Sequence, residues 1–236
     1  MLNENERPVA IVTGAGSGIG RAISLRLAAA GHRLVLIGRT MSRLEETQGL
    51  LESQALVISA DLGKSDQPAR IVEATLEAVG RVDVLINNAA SGPYKPIEET
   101  TDTDLHDTFE VDLFGPMRLV TKLWPHFTAQ GSGCVVNISS MAAASPFPGL
   151  SVYAAAKSGL ESLTRSIFNE GDQLGIRAYS IAPGAVETDM LRGILSKDQL
   201  PTENTLDPDD VAKVVVECVH GEREADRGKT ILMPSP

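Results

Sequence analysis

Short runs rich in Val, Ile and Leu recur along this 236-residue chain, each bounded by polar or glycine-containing stretches. They cover residues 8–13, 33–38, 55–60, 82–87, 133–139, 176–181 and 230–233. Several are apolar at consecutive positions rather than at alternate ones. A strand with one wet face alternates, so this pattern predicts strands covered on both faces. Longer segments with helical spacing predict helices over about residues 18–30, 42–53, 67–79, 103–130, 152–174 and 208–220. Strand, helix and strand in such succession build parallel βαβ units with right-handed crossovers. The fold class is therefore α/β, an open doubly wound parallel sheet with helices on both faces. No repeat, low-complexity tract or linker divides the sequence, so residues 1–236 read as a single domain. Residues from about Thr188 to Asp207 interrupt the alternation, and their Pro, Gly and polar content suits a lid or substrate loop.

Composition narrows the partners. Aromatics are only 4% of the chain while Gly and Ala are frequent, which favours close helix-on-sheet packing over an aromatic-rich sandwich. The net charge of −10 speaks against nucleic acid or an anionic membrane as main partner, since a phosphate backbone is held by excess Lys and Arg. A single phosphate-bearing ligand needs only a local site and stays open. Cys134 and Cys218 are the only cysteines and have no metal-ligand spacing, so they read as small buried hydrophobes in a reducing compartment. The amino-terminal MLNENERP is polar and acidic, without a signal-peptide core, and no apolar run approaches the ~20 residues of a spanning helix. A soluble, cytoplasmic protein is expected.

The first strand runs straight into Thr13-Gly14-Ala15-Gly16-Ser17-Gly18-Ile19-Gly20, and a helix follows. Glycines there allow a tight turn, backbone approach to a pyrophosphate and close helix–strand contact, while free N–H groups and the helix dipole favour the anion. The spacing is TGxxxGxG rather than GxGxxG, and glycines alone also serve ordinary turns. Its place between strand and helix points to a dinucleotide. An NAD site usually carries Asp or Glu at the end of the second strand; here Gly38 stands there and Arg39 follows. A missing acid beside a guanidinium favours a 2′-phosphate, hence NADP(H), with NAD(H) as the alternative and a solvated loop charge as the bland role of Arg39. Asp61, after the third strand, suits the adenine amino group or a helix N-cap.

Tyr153 and Lys157 lie four apart in a predicted helix, on one face. A nearby ammonium favours the phenolate, so the pair suits general acid–base work. Ser140 ends the preceding strand, and at the carboxyl edge of a parallel sheet it faces the same crevice as the glycine turn. Alone, a Tyr–Lys pair on an amphipathic helix is commonly structural; beside a strand-end Ser and a dinucleotide turn it reads as a reacting centre.

TGAGSGIG at 13–20, NNAA at 87–90, NISS at 137–140, YAAAK at 153–157 and PGAVET at 183–188 together resemble the short-chain dehydrogenase/reductase family, and within it the 3-oxoacyl-(acyl carrier protein) reductase-like members. The resemblance spans nearly the whole chain. It implies a Rossmann-type fold with strand order 3-2-1-4-5-6-7, and an enzyme acting on a CH–OH/C=O pair. It implies Ser140 as the carbonyl-orienting residue, Tyr153 as the proton donor or acceptor, and Lys157 as a ligand of the nicotinamide ribose. The implied cofactor contacts are Gly14, Ser17, Gly18, Ile19 and Gly20 in the turn, and Arg39, Asp61 and Leu62 toward the adenosine. By the same resemblance Asn88 and Ala89, after the fourth strand, would contact the cofactor, with Asn87 and Ala89 lining the central sheet and cofactor. The resemblance further implies that Pro183, Gly184 and Thr188 would flank the nicotinamide amide. A homo-dimer or homo-tetramer is expected from the same resemblance, built on the helices of 103–130 and 152–174.

Two positions depart from the family pattern. Asp112, in Val111-Asp112-Leu113-Phe114-Gly115, stands where an Asn usually supports a proton relay through the Lys, and is counted with Ser140, Tyr153 and Lys157 as catalytic. A carboxylate there either tunes the relay or weakens the pull of Lys157 on Tyr153. Tyr179 replaces an Asn and reads as packing. His32, His106, His126 and His220 form no triad, the acids from Glu98 to Asp107 read as a solvated loop and helix start, and no metal site is expected. Phe147, Leu150, Met190 and Leu191 form either an apolar substrate wall or ordinary core and subunit contacts. The reading is an NADP(H)-dependent oxidoreductase of a small-molecule carbonyl or alcohol; its rivals are an NAD(H) enzyme of the same fold and a catalytically impaired dinucleotide-binding regulatory module.

Overall fold

The computed structural model describes residues 7–236; Met1–Glu6, most of the acidic amino-terminal stretch, lie outside the described residues. Strands β1 (Val9–Thr13), β2 (Arg33–Gly38), β3 (Leu56–Ser59), β4 (Val84–Asn87), β5 (Gly133–Ile138), β6 (Ile176–Pro183) and β7 (Thr230–Met233) pair in parallel into one sheet, in the order 3-2-1-4-5-6-7. This is the Rossmann-type fold expected from the motifs. β1, β4 and β5, at its centre, are buried at every position, which is why their sequences are apolar without alternation.

Consecutive residues of each strand feed opposite layers. Ala10 and Val12 pack with Ile23 and Leu27 of α1 (Gly18–Ala29) and with Val211 and Val215 of α8 (Pro208–His220). Val9 and Ile11 join the other layer, with Ile71 of α3 (Gln67–Val79), Leu119 and Leu123 of α5 (Gly115–Gln130) and Ile167 of α6 (Ser151–Gly171). Helix α2 (Met41–Gly49) covers the β2–β3 edge and is shorter than its pattern predicts. Tyr179 is fully buried in the sheet, and both cysteines are buried and unpaired.

The helix expected over 103–130 is not continuous. α4 (Asp102–Phe109) passes into a π-helical turn at Glu110–Phe114 before α5 begins. The cause lies in Gly115-Pro116. Pro116 has no N–H for the carbonyl of Asp112, four residues back, and its ring crowds that carbonyl. The wider turn relieves this, with the Gly115 N–H donating to the Glu110 carbonyl instead. Asp112 thus sits on the inner side of a widened turn. The predicted 188–207 loop is also partly ordered: α7 (Asp189–Arg192) opens it, and Val186 bridges Leu206 where it returns.

Polar bonds lock the strand ends around the point where the strand order reverses. The Thr13 hydroxyl donates to the Ile86 carbonyl (3.1 Å) and accepts from the N–H groups of Asn88 (2.9 Å) and Ala89 (3.0 Å). One strand further, Asn87 Nδ2 donates to Asn137 Oδ1, whose own Nδ2 donates to Thr164 on α6, both at 2.8 Å. Asn87 is therefore buried cross-strand glue. No helix among the described residues is long and apolar enough to cross a membrane.

Candidate active site

The carboxyl ends of β1, β4, β5 and β6 open into a cavity of about 720 Å³. At its floor the chain turns from β1 into α1 with Gly14 and Gly18 at φ +67° and +48°, the left-handed region where a side chain is strained. Ser17 caps α1 without a side-chain bond, so the first-turn N–H groups are left for an outside acceptor. Gly20 does not line the cavity: a Cβ there would come within 2.2 Å of the Gly14 carbonyl oxygen, so its role is to let α1 lie against the turn. Gly14, Ser17, Gly18 and Ile19 do line it.

Lateral order follows the sheet. On the β2–β3 side the wall carries Arg39, Asp61 and Leu62, together with Arg43, which the sequence reading did not single out. Arg39 is exposed and makes no ion pair among the described residues, and Thr40 caps α2 without a side-chain bond. Arg43 reaches across the mouth to Asp189 of α7 at 3.3 Å. Above the cradle lie Asn88 and Ala89; Asn88 Nδ2 donates to the Thr13 carbonyl at 2.9 Å. Pro183, Gly184 and Thr188 complete the wall from β6, with Thr188 also capping α7 by accepting the Leu191 N–H.

The side that carries Ser140, Tyr153 and Lys157 is built by β5 and α6. Ser140 and Tyr153 face the cavity, and Lys157 lies one helical turn beyond Tyr153 with its Nζ 5.4 Å from the ring centroid. Ser140 Oγ accepts the Ala142 N–H (3.1 Å), which leaves its hydroxyl proton for another acceptor. Lys157 is almost wholly buried; its ammonium donates to the Ile138 carbonyl (3.0 Å) and lies 3.4 Å from Asp112 Oδ2. Asp112 does not line the cavity. It is fully buried behind Lys157, with Oδ1 accepting the Ser91 N–H (2.7 Å) and Oδ2 left without a hydrogen bond. The expected neighbour relation of Asp112 and Lys157 is thus a direct contact of buried charges.

Electrostatics at this end are set mainly by burial. Desolvation lifts the Asp112 carboxyl to about 6, against the pull of Lys157 and the Ser91 N–H. Burial also raises the Tyr153 phenol. Lys157 draws it back, the Asp112 carboxylate pushes it further up, and Ser140 lowers it.

Phe147, Leu150, Met190 and Leu191 all line the cavity, so they are wall rather than core. Tyr94, Ile194, Leu195 and Leu200, which the sequence reading passed over, join them. Elsewhere His32 stacks on His220 at 5.9 Å, Thr101 and Asp104 form a reciprocal cap at the start of α4, and no three potential metal ligands cluster among the described residues.

The sequence matches the short chain dehydrogenase family over residues 8–199. It is 36% identical to the levodione reductase of Leifsonia aquatica over 83% of this chain and 75% of that protein. Among solved structures, a levodione reductase superposes with a TM-score of 0.89 at 30% identity, covering 96% of both chains. The 3-ketoacyl-(acyl-carrier-protein) reductase from Brucella melitensis, solved in complex with NADH, superposes at 0.88 with 29% identity over 95% of this chain and 96% of that one.

Proposed function

Because this chain belongs to the short-chain dehydrogenase family, we propose that it interconverts a carbonyl and an alcohol with NADP(H), Tyr153 passing the proton. The carrying observation is that the glycine cradle and the Ser140–Tyr153–Lys157 group share one cavity. The cradle fits a pyrophosphate, since its N–H groups are open and a Cβ on Gly18 would strike Thr188 at 2.9 Å. When bound, the nicotinamide supplies hydride to the substrate carbon or takes it back. The free hydroxyl proton of Ser140 holds the substrate oxygen. Burial keeps the Tyr153 phenol protonated, ready to give its proton as the carbonyl oxygen gains charge; in the reverse direction Lys157 stabilises the phenolate. Lys157, fixed by the Ile138 carbonyl and Asp112, would hold the nicotinamide ribose through its remaining N–H. Asp112 touches neither substrate nor cofactor in this scheme and acts as a positioning residue for Lys157.

Unpaired Arg39 beside the uncapped start of α2 supports a 2′-phosphate, and so NADP(H). The NADH complex of the Brucella relative favours the second reading, NAD(H) with the same chemistry. Homo-dimers or homo-tetramers are proposed through the α4–α5 face, where Leu105, Phe114 and Met117 stand exposed, and buried unpaired cysteines suit the cytoplasm. The test is reduction of a carbonyl panel, followed by nicotinamide absorbance. Tyr153→Phe is expected to lower turnover by about 10²–10⁴-fold while the cofactor still binds. Unchanged turnover in that variant removes Tyr153 from the mechanism.

A further inference from the structure

We infer that the substrate is an uncharged, largely apolar ketone or its alcohol, and that a carboxylate or phosphate near the reacting carbon is excluded. This rests on the carbonyl–alcohol reading above and extends it to the shape and charge of the wall. Around Tyr153 the cavity is closed by Tyr94, Phe147, Leu150, Met190, Leu191 and Ile194. Tyr94, Phe147 and Met190 are 53%, 62% and 42% exposed, an apolar rim that water covers poorly and an apolar occupant covers well. Tyr94 is held in place: a Cβ on Gly149 would lie 2.7 Å from its ring, and the Lys95 N–H donates to the Gly149 carbonyl at 3.1 Å.

Cations decide the exclusion. Among the described residues, the cations of the cavity wall are Arg39, Arg43 and Lys157. Arg39 belongs to the β2–α2 side, Arg43 is paired with Asp189 across the mouth, and Lys157 is buried against Ile138 and Asp112. The basic residues nearest the substrate end are spent within the protein. Arg192 of the lid donates to Glu187 (2.8 Å) and to the Leu200 carbonyl (2.7 Å), while Lys95 donates to Asp104 (2.6 Å). An anionic substituent would be stripped of water with no partner, which is costly.

The experiment compares alkyl-substituted cyclohexanones with the same rings carrying a carboxylate, and adds a ladder of neutral methyl ketones. One readout is kcat/KM with NADPH and, in parallel, NADH. The other is calorimetric binding of the same ketones to the Tyr153→Phe variant saturated with cofactor. Neutral members are expected to lead by at least about a hundredfold in both readouts. Each added methylene should raise kcat/KM about fourfold until the cavity is full. Leu191→Arg should narrow the neutral-to-anionic gap. Comparable kcat/KM or binding for the carboxylated rings overturns the proposal. Selective binding of neutral ketones without turnover by the native enzyme supports it and instead defeats the carbonyl–alcohol chemistry.

Discussion

The two halves of the cavity are built by opposite means. On the β1–α1 side the site is backbone: glycines, open N–H groups and close approaches, with Gly20 leaving no room for a single carbon. On the β5–α6 side it is side chain, centred on an ammonium and a carboxylate that are both buried. A backbone site is insensitive to charge and intolerant of volume. A buried charge pair is the reverse, because removing one partner strands the other. On the proposed function the contrast separates what would hold a dinucleotide from what would move a proton, and each variant below loads one side only.

The largest effect is expected from Asp112→Leu. It leaves the Lys157 ammonium buried with only the Ile138 carbonyl as a close acceptor, at a cost of about 3–5 kcal/mol by chemical denaturation. A loss below about 1 kcal/mol would mean that solvent or a rearranged Lys157 replaces the carboxylate, and that this half is less tightly built than its burial implies.

Gly20→Ala is the matching change on the cradle side. Its Cβ would meet two rigid neighbours, the Gly14 carbonyl at 2.2 Å and Asn88 Nδ2 at 2.5 Å, so α1 must shift. A destabilisation of about 1–3 kcal/mol is expected, with loss of dinucleotide binding by calorimetry. Retained affinity would show that the cradle does not depend on how closely α1 lies against the turn.

This division also governs what could be read from sequence. The cradle was legible because its chemistry is local: strand, glycines and helix are contiguous in residues 9–29. The central strands were legible because burial on both faces leaves an unbroken apolar run. The proton side draws on residues far apart in the chain, and its key distortion was hidden. The apolar periodicity of 103–130 continues across the π-helical turn, and only Gly115-Pro116 signals the break. Asp112 was found by its departure from a family pattern, but its burial behind Lys157, out of the cavity, needed the fold. The 188–207 segment is flagged by its irregularity; its folded form comes from Thr188 and Arg192 bonding to backbone, which leaves no periodic trace. Tyr94 was missed because a lone loop aromatic has no pattern until Gly149 is brought against it.

Asp112→Asn tests the proton side more gently, since it keeps the shape and removes the charge. The Asp112 carboxyl titrates at about 6 in the native state against 3.8 as its ordinary value. Between those values the folded protein holds a proton that the unfolded chain has released. Native stability contributed by this group therefore falls as pH rises through the window and is level above it. The wild-type curve minus that of Asp112→Asn should show this slope, amounting to roughly 3 kcal/mol in all. Parallel curves would place the Asp112 titration outside the window. On the proposed chemistry, the limb for alcohol oxidation also moves to lower pH in the variant, because the carboxylate no longer raises the Tyr153 phenol.

The smallest effect sharpens the comparison most, because it asks whether one side chain matters on the backbone side. Arg39 is exposed, so its contribution to a bound phosphate is that of a solvent-screened charge. Arg39→Ala is expected to weaken NADPH by about tenfold, and to leave NADH within about twofold. The loss should shrink as salt is raised, whereas the cradle N–H groups, common to both dinucleotides, keep NADH affinity nearly constant. Calorimetric titration of both cofactors at two salt concentrations reads all three expectations. A greater loss for NADH than for NADPH would assign the site to NAD(H) and place Arg39 on something other than a 2′-phosphate. Equal small losses would leave the preference with Arg43, whose pairing with Asp189 at 3.3 Å is the other cationic feature of that wall.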